Sequence, residues 1–362
     1  MSHILEIPKW FDLHTHFRQG ELVASYISDH LEMGCAGALA MPNTLPPVSK
    51  IDGENSEHGW SIESYRGMLL EAGGDQFEEL IVPLYLTKET TAQDIERGAK
   101  SGQLKAAKYY PPHGTTNSAH GVPIENWIGS DVLKAIEANE VILCLHGEQH
   151  GLTGADYFDS KHTAESKFYQ NWMPKLRDTH PGLKMVCEHI TTEAAVAFVE
   201  SSVEGKVAAT ITPQHLLYTV GHLIQGLRYH LYCLPIVKFE NDREALRQAV
   251  TKPGQSRFFA GTDSAPHTDK VTECGCAAGC YTGGCAPQLY AMAFEEAGVN
   301  LATPEGIDSF RRFLSANGPE FYGFPVSNET FQMVRERRGA TKKAPVTSLP
   351  EGMGLELEWA IV

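Results

Sequence analysis

Eight short apolar runs, each separated from the next by a segment with helical character, constrain the fold of this chain more than any other feature. They are WFDLH (10–14), AGALAM (36–41), LIVPLYL (80–86), LKAAKYY (104–110), VILCLH (141–146), LKMVCEH (183–189), VAATIT (207–212) and RFFAGTD (257–263). Most are near-continuous rather than alternating, as strands buried on both faces of a parallel sheet are. Parallel neighbours need crossover helices, and eight such strands close into a (β/α)8 barrel of the α/β class. Between the runs, Thr90 to Gln93 has capping-box spacing ahead of a segment closed by Gly102, and Asn241 to Glu244 opens NDREALRQAV in the same way. Pro/Gly-rich stretches at 41–47, 111–123 and 274–287 each follow a predicted strand, where a barrel builds its working face. No boundary is visible, so residues 1–362 are expected to form one barrel domain with a surface tail after about residue 340.

Composition narrows the partners. Lys and Arg total 30 against 45 Asp and Glu, a net charge of −15, which disfavours nucleic acid and anionic membranes. With 42% hydrophobic and 21% charged residues the chain can bury a large core. No apolar stretch is long enough to span a bilayer. The opening MSHILEIPKWFDLHTH lacks a basic region followed by an apolar run, so a reduced, cytoplasmic protein is expected. Of eight cysteines, Cys35, Cys144, Cys187 and Cys233 sit in apolar runs as small hydrophobes, whereas Cys274, Cys276, Cys280 and Cys285 crowd into one Gly-rich segment.

The sixteen histidines carry more information. At the carboxyl ends of the predicted strands stand His14 and His16, Asn43, Lys108, His146, His189 and Asp263. His14 and His16 are two apart, so on a strand their side chains share a face. Imidazole nitrogen and carboxylate oxygen are ligands that ions such as Zn²⁺ prefer. A lone histidine at a strand end is more often structural. Four of them with an aspartate, at separate strand ends on one face, point to a metal site.

The segments FDLHTHFRQG, AMPNTLPP, AAKYYPPHGTTNSAHGV, LCLHGE, VCEHITT, TITPQHLLY, HLYCLPIVK and FFAGTDSAPH resemble dihydroorotase of the short, stand-alone bacterial type (class II), within the amidohydrolase superfamily. The resemblance runs in order from about residue 8 to 335. It implies two Zn²⁺ per subunit: one held by His14, His16 and Asp263, the other by His146 and His189, with Lys108 as an N6-carboxylated lysine and a hydroxide bridging them. The implied reaction is the reversible cyclisation of N-carbamoyl-L-aspartate to L-dihydroorotate plus water, in de novo pyrimidine biosynthesis, with Asp263 as general acid/base. Arg18, Asn43 and His267 would hold the substrate and make its pocket locally positive. The backbone of Leu234 and of Ala277 (or Ala278, one residue on) would meet the ring edge. Thr115 and Thr116 would reach the substrate from the mobile loop 111–121. The cysteine-rich segment would cover the pyrimidine rather than hold a metal through thiolates. A homodimer is implied too. The alternatives are another cyclic amidohydrolase, such as a hydantoinase or allantoinase, and a non-catalytic barrel turned interaction protein.

Overall fold

The computed structural model describes residues 4–154, 159–273 and 275–362. Among them, eight parallel barrel strands fall on the eight apolar runs: β1 (Trp10–Thr15), β2 (Cys35–Ala40), β3 (Glu79–Ile81 with Leu84–Tyr85), β4 (Ala106–Tyr109), β5 (Ile142–His146), β6 (Met185–Glu188), β7 (Val207–Ile211) and β8 (Phe258–Ala260). β3 is broken where Pro83 offers no N–H to the ladder. β8 meets β1 beyond its regular end, through a Thr15–Ser264 bridge and the bond from Asp263 N–H to the His14 carbonyl, 2.8 Å. The barrel therefore closes at the carboxyl ends of its strands, where the histidines stand.

The interior is filled by side chains from every strand: Phe11 and Leu13, Ala36 and Leu39, Ile81, Ala106, Ile142 and Cys144, Val186, Ala208, and Phe259, all buried. Large residues on β1 and β8 share this cluster with small ones on β4 and β7, the mix of sizes a filled barrel requires. Phe321 plugs the amino-terminal mouth with Tyr322 and Phe324. Gly318 lets that segment approach; a Cβ there would lie 2.4 Å from Leu13.

Two local expectations shift. The helix Ala92–Lys100 is capped by Thr91, whose hydroxyl accepts from Asp94 N–H while Asp94 answers to the Thr91 backbone. The box therefore lies one residue later than Thr90 to Gln93, because Asp94 supplies the returning carboxylate. The helix Glu240–Thr251 starts ahead of Asn241, with Phe239 at its cap and no side-chain capping bond.

The tail after residue 340 is not a surface extension. The strand Leu357–Ile361 pairs antiparallel with Thr330–Arg338, which pairs on its other edge with Ile4–Pro8. Ala344, Val346, Leu349, Leu357 and Trp359 are all buried. The Asp29 carboxylate accepts from the backbone N–H groups of Lys343 and Ala344, fixing the approach to this sheet. Alternation in LEWAI, with Leu357 and Trp359 inward, is the half-buried strand pattern.

Candidate metal centre and substrate pocket

The six residues expected to form the metal centre come together at the carboxyl-terminal mouth. The His14 ring lies 5.5 Å from that of His16 and 4.8 Å from that of His189, and His189 is 4.7 Å from His146, centroid to centroid. His16 Nε2 is 2.9 Å and His14 Nε2 3.5 Å from Asp263 Oδ1. Candidate ligand atoms of His14, His189 and Asp263 lie within 4.8 Å of one another, the one such group that could hold a metal ion among the described residues. This grouping cuts across the expected split, since it brings His189 beside His14 and Asp263. His189 directly follows β6 and Asp263 lies three residues past β8, both in left-handed backbone, with φ of 40° and 48°. Non-glycine residues rarely adopt that conformation, and it concentrates at functional sites.

Lys108 is fully buried on β4, its Nζ has no hydrogen-bond partner, and it sits 5.1 Å from the Tyr110 ring centroid. Burial lowers its pKa below the ordinary lysine value, against the attraction of Glu188 and Asp263. Burial also holds His16 at about 4 and depresses His146 and, more strongly, His189. Burial works against charge on His14 too, but Glu188 and Asp263 outweigh it and its pKa rises. Burial opposes charge on Asp263, yet His14 and His16 hold its carboxyl well below the usual range. His189 Nδ1 and Glu188 Oε1 are likewise buried without a partner. Orphaned buried donors and acceptors are costly; this concentration of them among imidazoles and carboxylates fits a site that takes cations.

Beside the centre, His16, Arg18, Met41, Asn43 and Asn117 help line a cavity of about 240 Å³. Arg18 Nε donates to the Pro266 carbonyl at 3.0 Å, which orients the guanidinium from the β8 loop. Asn43 Nδ2 donates to the Thr116 carbonyl (2.9 Å) and Asn117 Nδ2 to the Asn43 carbonyl (3.1 Å), docking the loop 111–121 over this cavity. Thr115 is engaged with Ser118, and Leu234 is half-buried.

Two expectations change here. His267 adds no charge to the pocket at neutral pH: burial, then Arg18, hold it at about 4. Its Nε2 donates to the Ala278 carbonyl at 2.7 Å, so a neutral ring keeps Nδ1 as an acceptor. The backbone of Ala277 is already engaged, its N–H with the Lys270 carbonyl (2.8 Å) and its carbonyl with Lys270 Nζ (2.6 Å). Lys270 also donates to the Tyr232 carbonyl, so one ammonium organises the whole loop. Cys276, Cys280 and Cys285 turn their thiols toward three separate carbonyls, of Tyr229, His230 and Thr282; Cys274 lies outside the described residues.

Several residues packed directly behind the candidate ligands carry no signal in the sequence. Asp12 accepts from Thr262 through its backbone N–H (2.9 Å) and its hydroxyl (2.6 Å), and from His30 at 3.1 Å, stapling β1 to the β8 loop. Glu148 accepts from His146 Nε2 at 3.0 Å. Glu165 accepts from the backbone and hydroxyls of Thr191 and Thr192, just past His189. Glu188 is bonded to His14. A strand pattern sends Glu188 and His189 to opposite faces; only the left-handed turn at His189 makes both converge.

No protein-family model matches the chain. Among solved structures it is similar to dihydroorotase from Saccharomyces cerevisiae, solved in complex with 5-fluoroorotic acid, at 27% identity over 99% of this chain and 98% of that one, TM-score 0.82. Dihydroorotase from Campylobacter jejuni shares its fold at 24% identity, over 100% and 98% of the two chains, TM-score 0.81. An L-hydantoinase from Arthrobacter aurescens does so at 13% identity, over 99% and 83%, TM-score 0.73. Barrel, site and likenesses together place the chain among the metal-dependent amidohydrolases. Within that class it matches the stand-alone bacterial type of dihydroorotase.

Proposed function

We propose that the chain interconverts N-carbamoyl-L-aspartate and L-dihydroorotate, closing or opening a cyclic amide with loss or gain of water. The observation that supports this most is the adjacency of two features. A buried, unpartnered Lys108 amine sits among four histidines and Asp263, and a small cavity with an oriented arginine borders His16. Dihydroorotate needs both, an activated attack on a ring amide and a seat for its carboxylate.

His14, His16, His146, His189 and Asp263 would hold two Zn²⁺, with Lys108 bridging as its carbamate. Burial favours the neutral amine, the form that adds CO2, and the product carries two ligand oxygens where an ammonium carries none. Bound there, the ions would polarise the scissile carbonyl and lower the pKa of water toward ~7. Asp263 is ionised at neutral pH, so in ring opening it accepts the proton of the attacking water and passes it to the departing ring nitrogen. In ring closure the order reverses. Arg18 offers two parallel N–H groups to the substrate carboxylate. Asn43 and neutral His267 supply complementary donor and acceptor positions, and Thr115, Thr116, Leu234 and the Ala277–Ala278 backbone would complete the enclosure. A homodimer in the cytoplasm belongs to the same reading and rests on the resemblance. No described helix is long and apolar enough to cross a membrane.

Growth with ¹³C-bicarbonate tests the centre. A carbamate carbon resonance present in the wild type and lost together with dihydroorotate turnover in Lys108→Ala supports it. Full turnover in Lys108→Ala would refute it.

A further inference from the structure

Glu188 and Thr210 occupy no ligand position, yet they join three strands behind the metal centre. Glu188 Oε2 lies 2.6 Å from His14 Nδ1 and 2.7 Å from Thr210 Oγ1. The Thr210 hydroxyl in turn accepts from the backbone N–H of His189 at 2.7 Å. All four residues are buried. Thr210 stands on β7, a strand that contributes no ligand, and Gly261 makes room for it: a Cβ there would lie 2.7 Å from Thr210 and 3.0 Å from His14.

We infer that Glu188 and Thr210 are a positioning pair that sets the proton of His14 on Nδ1 and seats His189, so that the two rings meet a cation in fixed register. The donor logic closes without conflict. Thr210 spends its one proton on Glu188 and receives one from His189. A carboxylate oxygen can only accept, so His14 must carry a proton on Nδ1, which leaves Nε2, on the side of Asp263, as the nitrogen that can meet a cation. Imidazole ligands are commonly oriented through their other nitrogen, and losing that partner typically weakens metal binding ~10–100-fold. The chain extends this by one link. The same carboxylate that orients one ligand also holds, through the threonine, the left-handed turn that presents another. This rests on the metal-centre reading above and not on the identity of the substrate.

The test is equilibrium competition for Zn²⁺ between the protein and a chromophoric chelator, on the wild type, Glu188→Gln, Thr210→Val and the double variant, with the melting temperature of each metal-free protein alongside. The pair predicts Zn²⁺ affinity ~10–100-fold lower in Glu188→Gln and a smaller loss in Thr210→Val. The double variant should lose less than the product of the two, because both act through one chain. Cobalt-loaded protein should show a changed visible spectrum in the same variants. Zn²⁺ affinity within twofold of wild type in Thr210→Val and Glu188→Gln overturns the proposal. So does a loss tracking only the metal-free melting temperature, with an unchanged cobalt spectrum. If Glu188→Gln fails to fold, Thr210→Val alone decides by the same readouts. No arm uses substrate, so inactivity toward dihydroorotate would leave this result standing and count against the function alone.

Discussion

His16 Nε2 and Asp263 Oδ1 stand 2.9 Å apart across the seam where the first and last barrel strands meet. The same aspartate oxygen is 3.5 Å from His14. The two imidazoles keep Asp263 ionised well below the usual carboxylate range, the state needed to receive a proton at neutral pH. Asp263→Asn keeps the shape and removes the base. Its kcat should fall by at least ~10²–10⁴-fold while most of the metal remains bound; near-normal turnover in this variant would remove Asp263 from the proton path.

Arg18 is expected to act twice. As the carboxylate seat, its replacement in Arg18→Met should raise KM for dihydroorotate ~10-fold or more, the scale of a lost charge-assisted pair. As a neighbouring cation, it helps hold His267 near 4. An NMR titration of His267 should therefore show its pKa moving up in Arg18→Met. An unchanged KM with an unchanged His267 titration would place the guanidinium away from the pocket.

The His267 shift also carries a stability signature. Its pKa is depressed in the folded protein relative to the ordinary 6.5, so the unfolded chain binds the extra proton first. The contribution is present above pH 6.5 and lost as pH falls toward 4. Discounted for partial exposure, it amounts to about 1–2 kcal/mol. In metal-free protein, the wild type should lose stability relative to His267→Asn over that window; parallel curves for the two would contradict the shift.

The loop 111–121 is tied to the β2 end by Asn43. Asn43→Ala should loosen it by about 1 kcal/mol, seen as faster proteolysis within 111–121 together with a higher KM. Protection equal to that of the wild type would mean that the loop is held by other contacts.

At the far end of the chain, Trp359 is buried on the strand Leu357–Ile361 of the sheet that joins both termini. Trp359→Ala should cost about 3–5 kcal/mol, measured by denaturant unfolding. A cost under about 1 kcal/mol would restore the picture of a loosely attached tail.

The barrel was legible because each strand is buried on both faces, and a continuous apolar run announces itself locally. The clustering of candidate ligands was legible because they sit at the ends of those runs. The residues behind it were not. Glu188 is hidden by alternation, and Asp12 looks like one more polar residue inside WFDLH until Thr262 and His30 are seen to converge on it. The state of His267 depends on Arg18 and on burial, neither of which is a local property of GTDSAPH. The terminal sheet escaped because its first strand lies more than 300 residues from the other two, with Ile7 opposite Phe331, and short amphipathic segments at chain ends read as surface.

The most direct test of the whole account is the ratio of kcat/KM for dihydroorotate to that for hydantoin and allantoin, measured on zinc-loaded protein of known metal content. About two Zn²⁺ per chain and a strong preference for dihydroorotate are expected, lost on metal removal and regained on its return. Comparable turnover of hydantoin, or full activity without metal, would contradict it.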